Sequence, residues 1–102
     1  MMEPTCLEKR MYAVLTAMGV DFTEQLSTRS GFVLDFAIYV DREHDKKLAI
    51  EVDGAVWHNK RRDAFRDRIL RKEGWRVLRF GETFTPDEAR EKIAATLIEL
   101  RG

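Results

Sequence analysis

The chain has 102 residues, 44% of them hydrophobic and 35% charged, with 18 basic residues balanced by 18 acidic ones. That length fits a single domain spanning 1–102 with a modest core, and the zero formal charge excludes a global field that would draw it to nucleic acid or membrane. One cysteine, Cys6, excludes an internal disulfide framework and a cysteine-built zinc cage, and no apolar run approaches the roughly 20 residues of a membrane span.

The first residues, Met1 to Thr5, lack the apolar stretch of a signal peptide, so a reducing, cytoplasmic setting is expected. Cys6 reads as a small, half-buried residue at a helix start. Thr5-Cys6-Leu7-Glu8 has the form of a capping box, with Thr5 as N-cap and Glu8 reaching back to it. Leu7, Met11, Val14, Leu15 and Met18 then recur at helical spacing, and Gly19 closes the helix.

Val20 to Leu26 reads as a short edge strand, followed by a polar turn over 27–31. Phe32 to Val40 is a longer strand. Its alternation predicts Phe32, Leu34, Phe36, Ile38 and Val40 on one face, with Val33, Ala37 and Tyr39 on the other. Asp35 interrupts that second face. A charged residue is seldom buried without a partner, so Asp35 marks either a strand bend or a site.

Asp41 to Lys47 is a charged hairpin turn, with His44 a solvated residue within it. Leu48-Ala49-Ile50-Glu51-Val52-Asp53 follows as a buried strand, Leu48, Ile50 and Val52 on one face and Glu51 and Asp53 on the other. So short a turn pairs the two strands antiparallel and sets Asp35 near Glu51 and Asp53. Two carboxylates on one strand face repel unless a cation sits between them or one keeps its proton. Gly54 ends the run, and Trp57-His58 comes directly after.

Asn59 to Glu73 reads as a helix ended by Gly74, with Lys60, Arg61, Arg62, Arg66, Arg68, Arg71 and Lys72 on it and Phe65, Ile69 and Leu70 toward the core. Trp75 to Phe80 is a strand in which Trp75, Val77 and Arg79 alternate with Arg76, Leu78 and Phe80. Thr85-Pro86-Asp87-Glu88 opens a last helix, with Ile93, Leu97, Ile98 and Leu100 as its apolar stripe. The order α-β-β-β-α-β-α predicts an α/β fold, a mixed four-stranded sheet with helices on its faces.

Asp35 with Glu51, and with Asp53 beside them, supplies the hard oxygen ligands that a magnesium ion takes while keeping several waters. His58 can act as a general base or acid near neutral pH, and Asp63 can hold its imidazole in one tautomer. A metal, a base and an adjacent basic helix are the parts of phosphodiester cleavage on a polyanionic substrate. Each residue has a plainer reading as well. Glu8 completes a cap, the basic run is a solvated helix face, and Trp57 belongs to a core.

Glu8-Lys9-Arg10, Leu34-Asp35-Phe36, Gly54-x-x-Trp57-His58, Arg62-Asp63 and Gly74-Trp75-Arg76-Val77-Leu78 together resemble the very-short-patch-repair endonucleases and their small relatives, a branch of the PD-(D/E)XK restriction-endonuclease-like superfamily. The resemblance runs from Leu7 to Phe80. It implies a restriction-endonuclease-like core and a metal-dependent deoxyribonuclease using Mg2+, with Mn2+ as a substitute. Asp35, Glu51 and the Val52 carbonyl would hold the metal, His58 would be the catalytic imidazole paired with Asp63, and Glu8 would reach the metal's water shell. Trp57, Lys60, Arg61, Arg62 and Arg68 would contact double-stranded DNA.

The sequence departs from that pattern in three places. Asp53 stands where the superfamily has its lysine, so the orientation of water passes to His58. Glu51 is acidic where the mismatch-repair branch is not, which brings the chain closer to the general superfamily pattern. The zinc site and the mismatch-reading segment of the repair enzymes have no counterpart, which removes any case for T:G specificity. The competing expectation is a nucleic-acid-binding module, silent alone or active only with a fused or partner recognition subunit; cutting both strands would call for a homodimer.

Overall fold

A computed structural model describes residues 6–53 and 60–102, and the side chain of Lys60 is outside that description. Seven elements follow in chain order: α1 (Cys6–Met18), β1 (Thr23–Ser27), β2 (Val33–Asp41), β3 (Lys46–Asp53), α2 (Lys60–Lys72), β4 (Trp75–Gly81) and α3 (Pro86–Arg101). The strands form one mixed sheet in the order β1-β2-β3-β4. β1, β2 and β3 make an antiparallel meander, and β4 returns parallel to β3 through α2. This is the expected architecture. A parallel return needs a crossover, and α2 supplies it.

Helices cover both faces of the sheet. On one side Met11, Val14 and Leu15 of α1 and Ala89, Ile93 and Leu97 of α3 pack on Phe36, Ile38, Leu48, Ile50, Val52 and Phe80. On the other side Leu70 of α2 packs on Leu34, Ala37, Ala49 and Trp75. Burying one such leucine completely stabilises the fold by about 1.5–3 kcal/mol. No described helix is long and apolar enough to cross a membrane.

Local chemistry sets the element ends. Thr85 and Glu88 form a reciprocal capping box at the start of α3, with Pro86 in the first turn. Gly74 has φ +97°, and a Cβ there would lie 2.8 Å from an Asp45 carboxylate oxygen and 3.1 Å from the Asp45 carbonyl. Glycine therefore lets the α2–β4 turn close on the β2–β3 hairpin. The expected Thr5 cap of α1 lies outside the described residues.

Several expectations need correction. Phe65 is 56% exposed and Ile98 69% exposed, so neither faces the core. Cys6 is exposed and unpaired rather than half-buried. Leu34, with Phe32 and Leu26 beside it, joins the α2-side core, whereas Phe36 and Ile38 join the opposite one. The simple alternation of β2 thus breaks at Asp35. On β1 the position between the Glu24–Phe36 and Leu26–Leu34 pairs is Gln25, whose φ of 49° interrupts the ladder there.

Candidate active site

The break at Asp35 builds the site. The β2–β3 register, read on from the Phe36–Ile50 pair, sets Asp35 opposite Glu51. Each carboxylate is tied to the other's strand: the Val52 N–H donates to Asp35 Oδ2 at 2.9 Å, and the Asp35 N–H lies 3.5 Å from Glu51 Oε2. Glu51 is only 3% exposed. Burial, then the Asp35 charge beside it, push its carboxyl from an ordinary 4.5 up to about 8, while Arg66 pulls the other way.

Arg66 comes from α2. Its Nη2 lies 2.5 Å from Glu51 Oε1 and 2.9 Å from the Val33 carbonyl oxygen, and its guanidinium lies over the Phe32 ring. One guanidinium beside two carboxylates leaves the group short of positive charge when both are ionised.

Asp53 belongs to a neighbouring cluster. Arg79 of β4 donates from Nη1 to Asp53 Oδ2 at 3.2 Å and from Nη2 to Asp67 Oδ1 at 2.5 Å. Burial disfavours the Arg79 charge, but Asp67, the nearby Asp63 and Asp53 outweigh it and hold the guanidinium more firmly protonated than usual. Asp63 and Asp67 therefore turn toward β4, leaving Arg61, Arg62, Arg68, Arg71 and Lys72 on the exposed side of α2.

The structure thus brings Asp35 and Glu51 together, and gives Asp53 a guanidinium partner of its own. Glu8 on α1 accepts a hydrogen bond from Gln25 Nε2 at 3.4 Å, which links it to the β1 position opposite Asp35. Trp57 and His58, and the side chain of Lys60, fall outside the described residues. Among the described residues no three His, Cys, Asp or Glu side chains converge as a metal cage. The Asp35–Glu51 pair nevertheless suits a hard divalent cation, because it offers adjacent carboxylate oxygens whose mutual repulsion such an ion removes.

Arg66 and Arg79 went unrecognised as site residues from sequence. The signal was there: Asp63, Arg66, Asp67 and Leu70 fall at i, i+3, i+4 and i+7, one helix face. Arg79 likewise shares a strand face with the inward Trp75 and Val77.

The family model REase_MTES_1575, restriction-endonuclease-like, matches residues 7–97. Among solved structures the chain is similar to the "Homing Endonuclease I-Bth0305I Catalytic Domain", with 24% identity, a TM-score of 0.59, and coverage of 96% of this chain and 92% of that one. That likeness is one of fold. No curated protein matches significantly. The chain belongs to the restriction-endonuclease-like family REase_MTES_1575.

Proposed function

We propose that this chain is a metal-dependent DNA endonuclease domain that nicks or cuts a phosphodiester by water attack. The observation that carries this reading is the Asp35–Glu51 pair, a half-buried and a buried carboxylate held together at a break in β2 with incomplete charge compensation. A bound Mg2+ or Mn2+ would supply charge neutralisation at the phosphate. Asp35 and Glu51 would hold it, with the Val52 carbonyl as the next oxygen along the strand. His58 takes the proton of the attacking water, and Asp63 orients the imidazole. Glu8, anchored through Gln25, acts at the outer water layer. Asp53 serves here as the partner of Arg79, fixing the end of β3 from which the Trp57-His58 segment departs.

Substrate binding falls to the exposed side of α2. Its acids Asp63 and Asp67 turn inward, so Arg61, Arg62 and Arg68 present positive charge to a phosphate backbone. The resemblance to the very-short-patch-repair branch supports these roles. The similar solved structure is a homing endonuclease catalytic domain, and its shared fold is in keeping with a nuclease reading.

The test is a Mg2+ titration into the protein with supercoiled plasmid as substrate. Nicked plasmid should accumulate with Mg2+, disappear with a chelator, and disappear in a folded His58→Ala variant. No cleavage across Mg2+ and Mn2+, with salt-dependent DNA binding retained, would replace this reading with that of a binding module that works only beside a partner subunit.

A further inference from the structure

Arg66 is held differently from its neighbour Arg79. Arg79 uses both Nη atoms on two carboxylates, whereas the two hydrogen bonds of Arg66, to Glu51 Oε1 and to the Val33 carbonyl, both leave from Nη2. Its Nε, like that of Arg79, is buried without a hydrogen-bond partner among the described residues. Its side chain is 23% exposed, close to the 24% of Arg79, although Glu51 is almost wholly enclosed. A guanidinium that hydrogen-bonds through one nitrogen only, with the Phe32 ring as its other contact, keeps its second Nη for another partner.

Both oxygens of Glu51 are already used: Oε1 faces Arg66, and Oε2 faces the Asp35 N–H at the longer distance of 3.5 Å. A divalent cation seeking Glu51 meets a positive charge on its best-held oxygen. We infer that Arg66 is the resident counter-charge of the acidic pair, a positioning residue that cedes Glu51 when a divalent cation enters and is thereby freed toward the substrate phosphate. The inference rests on the nuclease reading above and adds an exchange of cations to it. A cation and a guanidinium repel one another on the same carboxylate, so cation entry weakens the Arg66 bridge. Once free, the planar fork matches phosphate oxygens in a way that an ammonium does not.

Two consequences run in opposite directions, which a merely structural role would not produce. Removing the charge with Arg66→Gln should tighten cation binding and slow nicking. The binding arm is a calorimetric titration of Mg2+ alone, without DNA, at about pH 9 to limit proton competition at Glu51. Arg66→Gln is expected to bind Mg2+ about tenfold more tightly than the wild type, and Arg66→Lys, which keeps the charge, within about threefold of it.

A measurement on the wild type guards against a variant that fails to fold. The exchange-protected Arg66 guanidinium signal in nitrogen-15 NMR, identified by its absence in Arg66→Lys, should be lost on saturation with Mg2+. Persistence of that signal, or Mg2+ binding unchanged or weakened in folded Arg66→Gln, would overturn the inference and leave the nuclease reading standing. Absence of Mg2+ binding in the wild type and both variants would overturn the two together.

Discussion

Asp35 and Glu51 are bound to each other's strands, the first through the Val52 N–H at 2.9 Å and the second through the Asp35 N–H at 3.5 Å. The backbone therefore holds two carboxylates together at a point where their charges oppose it. That opposition has measurable effects on stability, on cation affinity and on activity.

The first effect is on stability. The Glu51 carboxyl titrates near 8 in the folded chain against an ordinary 4.5. The folded state thus binds the extra proton between those values, so this contribution is full below 4.5 and is lost as pH rises through about 8. Without metal, the melting temperature should fall by at least about 5 °C between pH 5 and pH 8, within an upper bound of about 5 kcal/mol. Glu51→Gln should flatten that dependence. Calorimetric melting across the pH range checks it, and an equally steep fall in the variant would contradict it.

Arg79 ties the end of β3 to α2 through Asp53 and Asp67. Arg79→Met leaves two partly buried carboxylates facing each other without their cation. The expected cost is about 2–3 kcal/mol in urea unfolding, below the range for fully buried pairs because these side chains keep some solvent contact. Adding Asp67→Asn to that variant should recover part of the loss, since it removes one of the two stranded charges.

The exposed side of α2 should carry the salt dependence of DNA binding. Neutralising Arg61 and Arg68 together is expected to lower the slope of log affinity against log salt by about 2, with little change in stability. Arg76→Ala is the control, because Arg76 lies on β4 and pairs with Glu99 of α3. Filter binding across a salt series distinguishes the two. Equal slopes in the wild type and the double variant would place the contact surface elsewhere.

The element order was legible because hydrophobic periodicity changes cleanly from helix to strand and back, and because Gly19, Gly74 and Thr85 mark ends with specific backbone chemistry. Asp35 and Glu51 were legible as a pair because a short hairpin fixes the register of its strands. Three things were hidden. Strict alternation cannot register a break such as the one at Asp35, where Leu34 and Phe36 join opposite cores. On α2, hydrophobicity suggested Phe65 for the core, yet the inward stripe there is Asp63, Arg66, Asp67 and Leu70, which leaves Phe65 on the outer side. Ile98 fell to the same reliance on residue type, for it sits on the outer side of α3.

On the proposed nuclease mechanism, the carboxylate of Asp35 helps to hold a cation for phosphodiester cleavage. Asp35→Asn is the direct test, because the amide keeps an acceptor oxygen for the Val52 N–H and removes only the charge. Plasmid nicking at saturating Mg2+ should fall at least about 100-fold, in a protein that stays folded and melts no lower than wild type. Nicking at the wild-type rate by the folded Asp35→Asn protein would contradict the account.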